Sequence, residues 1–231
     1  MQRSVLENEL TRIRGNIIKL TSLVNTAIEK AMTALYERNV ELAQGVIAAD
    51  EEINLLRYDL EQDCLRVLAT QQPAAIDLRT VVTAMHLAVE LERIGDHAAG
   101  IARLVERMED EDEIESLHKL PKMAKRARSM IRQGIDAFVQ NDAGPAYDLI
   151  RKDDKIDKQY SRLFRETLQE MRDDTYIRRA TFLLWVGHNL ERIGDRATNI
   201  AERVIFMATG EFVEITPDLM EQPFDNGRAT A

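Results

Sequence analysis

The sequence has few of the residues that interrupt helices. Its 231 residues include only 10 glycines and 5 prolines, and only 5% of them are aromatic. Alanine, leucine, glutamate and arginine, which favour helices, are abundant, so we expect an all-α protein of long helices joined by short turns. A chain of this length can bury a sizeable core as one large domain or two small ones.

Cysteine is also scarce, and the net charge of the chain is negative. Cys64 is the only cysteine, which excludes an intrachain disulfide and a Cys-x-x-Cys metal or redox site. The formal net charge of −9 repels nucleic-acid backbones and anionic lipid surfaces. The N-terminal sequence has charges throughout, and the apolar runs are shorter than the ~20 residues that span a bilayer. We expect a soluble, cytoplasmic protein that does not bind nucleic acid.

The chain contains two copies of one pattern. Residues 91–96, with the sequence LERIGD, recur at 190–195. The similarity extends upstream through the preceding segment, where Asp50 aligns with Asp153. Because a repeat of this kind signals duplication of a structural unit, we expect both halves to share one architecture.

Turn-forming residues divide each copy into three long segments. Pro73 in the first copy and residues 173–175 in the second mark the turn before the third segment. Three segments of about thirty residues with short connections predict an antiparallel three-helix bundle in each copy. The like charges of Glu109–Glu113 indicate a solvated linker. The predicted boundaries are a first three-helix bundle at 1–108, an acidic linker at 109–117, a second bundle at 118–209 and a C-terminal tail at 210–231.

The third segment of each copy has the clearest helical period. Its apolar residues recur at alternating steps of four and three, which predicts a buried seam. These residues are Leu87, Leu91, Ile94, Ala98, Ile101, Val105 and Met108, and then Val186, Leu190, Ile193, Ala197, Ile200, Val204 and Met207. We expect the aromatic residues here, Trp185 included, to pack in the core rather than to form a cofactor site.

Two acidic pairs lie within the repeated LERIGD segments. Glu92 precedes Asp96 by four residues, and Glu191 precedes Asp195 by the same interval. Both members of a pair therefore lie on one helix face and can address one cation. Acids at this spacing are also common on solvated helices, with arginines as ion-pair partners, so the pairs alone do not establish a metal site.

Two further features favour a site. Both acidic pairs are kept in the second copy, whereas neighbouring positions, which we take as surface positions, have drifted. Examples are Glu90 against Asn189 and His97 against Arg196. Gly95 and Gly194 also lie in strongly helical segments, each at a cost of about 1 kcal/mol relative to alanine. Such a glycine predicts close approach by a neighbouring helix or by a coordinated ion.

The helical hairpins bring further acids to the level of these pairs. Residues equally distant from a turn lie at the same height, because both helices rise by about 1.5 Å per residue. With the first turn centred at Pro73, Asp96 is level with Asp50, and Glu92 is level with Asn54. The neutral Asn54 leaves the first copy one acid short, so we expect it to bind metal more weakly.

In the second copy, the same reasoning places Asp195 near Asp153 and Glu191 near Asp157. Carboxylate clusters without cysteine or an obvious histidine partner favour a hard cation, Fe, Mn²⁺ or Mg²⁺, in preference to zinc. The acids fall on the outer face of the bundle, and the histidines have no ligand spacing. The predicted metal ligands are Asp50, Glu92, Asp96, Asp153, Asp157, Glu191 and Asp195.

The doubled motif resembles the PhoU family of phosphate-transport regulators. Besides LERIGD in both copies, Gln72-Pro73 followed by residues 77–79 (DLR) matches that family, as do residues 153–157 (DDKID). The resemblance covers nearly the whole chain. It implies multinuclear metal clusters on the surface, held here by Glu92 with Asp96, Glu191 with Asp195 and Asp153 with Asp157.

The resemblance also implies a biological role. PhoU-like proteins restrain the phosphate-starvation response when phosphate is plentiful, acting between the high-affinity phosphate ABC transporter and a sensor histidine kinase. By resemblance, this chain is a non-enzymatic negative regulator of phosphate uptake. It would form a cytoplasmic homodimer that reaches the membrane only through the transporter ATPase and the kinase.

Two alternatives stay open at this point. A metal-dependent hydrolase or oxidase could use the same carboxylates, but it would need an open metal position beside a positioned acid or base. A metal-free helical scaffold would need the acids only for solubility. Neither the metal, the number of ions, nor the partner-binding face follows from the residues.

Overall fold

The structure is a computed structural model and describes residues 2–111, 117, 119–150 and 154–213. Within these ranges the chain is helical and has no strand, so the predicted all-α fold class is confirmed. None of the helices in these ranges is both long enough and apolar enough to cross a membrane. Most of the predicted linker and the tail beyond residue 213 lie outside the described residues.

Seven α-helices and one short 3-10 helix follow one another along the described chain. They are α1 (Gln2–Glu37), α2 (Val40–Gln71), α3 (Ala75–Arg107), α4 (Leu120–Gln140), α5 (Ala143–Ile150), α6 (Asp154–Glu170), the 3-10 helix Asp174–Tyr176 and α7 (Ile177–Thr209). The first copy has three unbroken helices. In the second copy α5 and α6 together take the place of α2, on either side of residues 151–153, which the structure does not describe.

Residues other than glycine in the left-handed conformation end three of the described helices. Arg38 (φ 54°) follows α1, Gln72 (φ 46°) follows α2, and Asn141 (φ 53°) follows α4. At the start of α2, the side chain of Asn39 accepts a hydrogen bond from the backbone N–H of Leu42 at 2.9 Å. This bond satisfies one of the amides that a helix start leaves unpaired, so the predicted short turn has the local chemistry it requires.

The two copies pack directly against each other. Helices α1, α2 and α3 contact one another, and α4, α5 and α6 contact α7. The copies join through α3 against α7 and through α1 against α4. Their buried apolar side chains form one continuous core. The predicted tandem three-helix architecture is therefore confirmed, with a core that both repeats share.

The predicted seam of the third helices lies in that core. The seven seam residues of the first repeat and the seven of the second are each at most 4% exposed. Burial of each large aliphatic side chain contributes about 1.5–3 kcal/mol to folding. Trp185 is different. It precedes the seam residue Val186 by one position, which turns its side chain by about 100° on the helix, and it is 58% exposed. The expectation that Trp185 packs in the core is wrong.

Polar residues at equivalent positions of the two repeats pair across the α3–α7 contact. Arg196 Nη1 donates to Glu90 Oε2 at 3.4 Å. The equivalent positions carry Asn189 and His97, whose Oδ1 and Nδ1 atoms are 3.0 Å apart. The interpretation of these four residues as drifted surface positions is wrong, because they face the other repeat. One contact is Glu90 with Arg196, and the equivalent contact is Asn189 with His97. Both members of the contact therefore differ between the repeats.

The start of the acidic run is bound by arginines from both repeats. Arg178 Nε, in the first turn of α7, lies 3.0 Å from Glu111 Oε1. Arg38 Nη2, in the turn after α1, donates to the Glu109 carbonyl oxygen at 3.2 Å and also to that of Glu111. The described start of the linker is therefore held against both repeats, although the like charges predicted a solvated segment.

Glycines mark two close approaches of a middle helix to a third helix. A Cβ atom on Gly95 would lie 3.0 Å from Ile53 Cδ1 and 3.3 Å from Asp50 Oδ1, so α2 passes close to α3 there, as the glycine predicts. A Cβ atom on Gly187 would lie only 2.5 Å from Leu163 Cδ2. Gly187 was not among the predicted contacts, yet the approach of α6 to α7 there is closer than that of α2 to α3 at Gly95.

We expect Gly187→Ala to lower the free energy of unfolding by about 1–3 kcal/mol, because the added methyl group overlaps the fully buried Leu163 side chain. Gly15→Ala is the matched control, since a Cβ atom there meets nothing within 4 Å. Alanine at that position should stabilise α1 by about 0.5–1 kcal/mol. Urea unfolding measures both effects, and equal stability of the two variants would contradict the close approach.

Candidate metal centres

The first predicted cluster lies beside Gly95, where α2 and α3 pass closest. Asp50 on α2 and the Glu92 and Asp96 carboxylates on α3 lie near enough to repel one another. Asp50 Oδ2 accepts a weak hydrogen bond from Asn54 Nδ2 at 3.4 Å. Asp50 Oδ1 is buried and has no hydrogen-bond partner among the described residues. A buried carboxylate oxygen without a donor fits a site for a cation.

Burial and like charge shift the titration of this cluster. Burial raises the pKa of the Asp50 carboxyl above its ordinary value, and the Asp96 carboxylate raises it further, while Arg103 opposes the shift. The pKa of Glu92 is also raised, by burial first and then by Asp96. A bound cation would remove this repulsion, so the donor set of the first repeat fits a metal ion.

Arg57 of the first repeat supplies part of the positive charge that would offset these carboxylates. Arg57 Nη2 lies 3.9 Å from Glu92 Oε1, and its Nη1 lies 2.7 Å from Glu61 Oε2. The guanidinium carbon also lies 3.8 Å from the centre of the Tyr58 ring, a cation–π distance. The first cluster therefore has a positive charge of its own at one edge.

The second cluster lies between α6 and α7. Burial raises the pKa of Glu191 above its ordinary value, and Asp195 and Asp157 raise it further. His188 Nδ1 lies 3.3 Å from Glu191 Oε2 and opposes the shift. Arg192 Nη1 donates to Asp195 Oδ2 at 3.0 Å. The structure thus brings Asp157 to Glu191, as the hairpin geometry predicts.

The side chains do not yet form a coordination sphere. Within the described residues, no three histidine, cysteine, aspartate or glutamate side chains have an arrangement that would hold a metal ion as they stand. Asp153, a predicted ligand of the second copy, lies outside the described residues. Metal binding at either cluster therefore stays a prediction, and it requires the exposed carboxylates to change rotamer.

Two members of these clusters were not found from the sequence. His188 lies three residues before Glu191, a spacing that puts both on one helix face, although the histidines were predicted to have no ligand spacing. Arg57 aligns with Tyr160 of the second repeat when Asp50 is aligned with Asp153. That difference, at a position one turn from the acids, was the available signal that the two clusters are unequal.

Comparison with known proteins agrees with the fold and its repeat. The PhoU domain family matches residues 17–105 and 120–204. A Clostridium acetobutylicum protein named phosphate-specific transport system accessory protein PhoU homolog is 33% identical over 93% of this chain and 99% of its own length. A Streptococcus pneumoniae homolog of the same name is 35% identical over 92% of this chain and 99% of its own length.

Solved structures give the same result. The crystal structure of the phosphate transport system regulatory protein PhoU from Streptococcus pneumoniae has a TM-score of 0.84 and 34% identity, over 91% of this chain and 100% of that one. PhoU from Pseudomonas aeruginosa has a TM-score of 0.84 and 33% identity, over 89% and 99%. The fold is thus that of a protein with two tandem PhoU domains, one in each repeat. The chain belongs to the PhoU family.

We expect Asp50→Asn to raise the free energy of unfolding of chelator-treated protein at pH 7, by less than about 1 kcal/mol. The native carboxyl, whose pKa is raised, takes up its proton at a higher pH than the unfolded chain does. Wild-type stability therefore rises as pH falls through the raised pKa and levels off below the ordinary one. The advantage of the asparagine should shrink over the same range.

Asp59→Asn is the control for this prediction, because Asp59 is an exposed carboxylate on the same helix outside the cluster. It should change stability little at any pH. Urea unfolding between pH 4 and pH 7 makes the comparison. If Asp50→Asn is destabilising at pH 7, the carboxylate makes a favourable native contact and the repulsion described above is not dominant.

Proposed function

We propose that this chain is a negative regulator of phosphate uptake and of the phosphate-starvation response, acting as a metal-binding adaptor between a phosphate ABC transporter and a sensor histidine kinase. The observation that carries the proposal is similarity over both repeats to proteins named as accessory or regulatory proteins of phosphate transport. An accessory or regulatory protein of a transport system acts by contacting the other proteins of that system. The adaptor role follows from that requirement.

Exposed apolar side chains support protein contacts. Leu65 on α2 and Leu168 on α6 occupy equivalent positions of the two repeats and are 55% and 48% exposed. Trp185 on α7 is also exposed, and tryptophan is enriched at the energetic centres of interfaces. These residues offer surfaces for the transporter ATPase and the kinase, and for the second copy in the homodimer that we propose.

We place the protein in the cytoplasm, because the ATPase of an ABC transporter and the catalytic part of a sensor kinase both work there. Direct adsorption to an anionic bilayer is opposed by the net charge of −9. The protein therefore reaches the membrane through its partners.

A hydrolase or oxidase is supported less well. Asp96 and Asp157 are exposed, whereas metal catalysis needs a shaped cavity that positions a substrate and an acid or base beside the metal. The relatives are named accessory and regulatory proteins, and neither name describes an enzyme. We therefore propose a regulatory role without catalysis.

Hard metal ions, Fe, Mn or Mg in preference to zinc, would bind the two clusters. Such an ion would neutralise the carboxylates and tie a middle helix to a third helix. The proposed ligands are Asp50, Glu92 and Asp96 in the first repeat, and Asp157, Glu191, Asp195 and Asp153 in the second. Because the neutral Asn54 leaves the first cluster one acid short, that cluster should bind more weakly than the second.

Metal addition should stabilise the chelator-treated protein, by about 2.7 kcal/mol at a metal concentration 100 times the Kd. The variant Glu191→Gln/Asp195→Asn should lose more of the gain than Glu92→Gln/Asp96→Asn does, because the second cluster has one more predicted acid and the first has the neutral Asn54 in that place. Glu170→Gln/Asp174→Asn is the control, since it removes two exposed acids with the same separation. Thermal unfolding with Mn²⁺ or Fe²⁺ measures the gain. Equal metal content in wild type and a variant with all four cluster substitutions would remove the proposed site.

The regulatory role has its own test in the organism that carries this chain. A tagged protein should retain the transporter ATPase or the sensor kinase in a pull-down, and deletion should raise expression of phosphate-uptake genes in phosphate-rich medium. The Glu170→Gln/Asp174→Asn protein should restore repression in the deletion strain. Normal repression without the protein would exclude the negative role, whatever metal it binds.

A further inference from the structure

A strongly basic cleft lies between α4 and α6, away from the carboxylates of α7. Its volume is about 390 Å³, within the range of about 300–1,000 Å³ usual for small-molecule sites. Its polar lining includes Lys122, Lys125, Arg126, Ser129, Lys155 and Gln159. On α4 the lining recurs at intervals of three and four residues, and Lys155 and Gln159 are four apart on α6, so each helix presents one face to the cleft.

The charge of this cleft is opposite to that of the whole chain. The net charge of the protein is −9, yet four cationic side chains line the cleft and no carboxylate does. Within the described residues, none of the four has a carboxylate ion-pair partner. Bringing four like charges together without a partner costs free energy, so the cleft is arranged for an anion.

A neighbouring cavity, which shares Lys125 and Ser129 with the cleft, shows the contrast. It has a volume of about 740 Å³, and its lining includes Glu29 and Glu37 as well as arginines. Arg128 Nη2 there lies 2.7 Å from Glu29 Oε2. One of its cations is therefore paired with a carboxylate within the protein, whereas the lining of the cleft between α4 and α6 holds no carboxylate.

The groups in the cleft are those that bind phosphate. Arg126 offers a planar fork that can donate two parallel hydrogen bonds to a phosphoryl group, and the lysines act as point charges. Ser129 adds a hydroxyl donor. Gln159 Oε1 is buried without a hydrogen-bond partner among the described residues. A 180° rotation of the side-chain amide would place its NH₂ donor at that position instead.

We propose that the cleft between α4 and α6 binds a small molecule that carries two or more linked phosphate groups. A single orthophosphate would contact only part of a cleft of this volume and would leave some of its cations unneutralised. Linked phosphates carry several negative charges in one molecule and can therefore face more of the four cations at once. The proposal does not depend on metal binding or on the partners proposed above.

The test is calorimetric titration of the full-length protein with pyrophosphate, ATP and orthophosphate. EDTA is present throughout, so that no ligand binds through a metal on the carboxylate clusters. Arg126→Ala/Lys155→Ala should weaken pyrophosphate binding by about tenfold or more, because it removes two charge-assisted contacts. The control Arg132→Ala/Lys158→Ala removes the same charges from the same two helices outside the cleft lining, and it should bind as wild type does. Circular dichroism verifies that both variants fold.

The outcomes separate the possible anions. Tighter binding of pyrophosphate or ATP than of orthophosphate, lost in the cleft variant and kept in the control, supports the proposal. Absence of binding to the wild-type protein, or equal binding by the cleft variant, overturns it. Cleft-dependent binding to phosphatidylglycerol vesicles without binding to pyrophosphate also overturns it, in favour of a lipid surface.

Discussion

Close packing of a middle helix on a third helix is the contact on which the candidate sites depend. At Gly95 there is no Cβ to separate α2 from α3, and at Gly187 the same is true of α6 and α7. The acids of both helices are therefore held on facing surfaces, where their charges repel. The apolar seam of each third helix supplies the free energy that keeps like charges together. Without that packing the carboxylates would separate, and no ion would have a reason to bind between them.

The two clusters share this scaffold but differ in what opposes their charge. In the first repeat a permanent cation, Arg57, lies beside Glu92. In the second, His188 lies beside Glu191, and a histidine carries charge only when protonated. Arg192 also pairs with Asp195 in that cluster at 3.0 Å, so near neutral pH each cluster is opposed by at least one permanent cation. On another face of α6 the sign reverses, because Lys155 and Gln159, two residues on either side of Asp157, line the basic cleft with α4. One helix thus separates an acidic site from a basic one.

The sequence predicts most of the fold because its signals are periodic and doubled. The alternating seam gave the buried face of α3 and α7, and equal distances from Pro73 placed Asp50 at the level of Asp96. What it did not predict depends on which way single side chains point. Trp185 lies one residue from the seam and faces outward, and Arg57 bends to Glu61 and Glu92. The basic cleft was missed because its residues come from two helices separated in the chain, and no local spacing marks their meeting.

The paired differences across the α3–α7 contact make the two halves of the chain complementary to each other. Glu90 meets Arg196, and Asn189 meets His97. Two first halves packed in the same way would place Glu90 against His97, and two second halves would place Asn189 against Arg196. Neither combination reproduces the charge-paired contact of the intact chain. The protein therefore behaves as a heterodimer whose subunits are covalently joined. Any association between whole molecules must use surfaces other than this one.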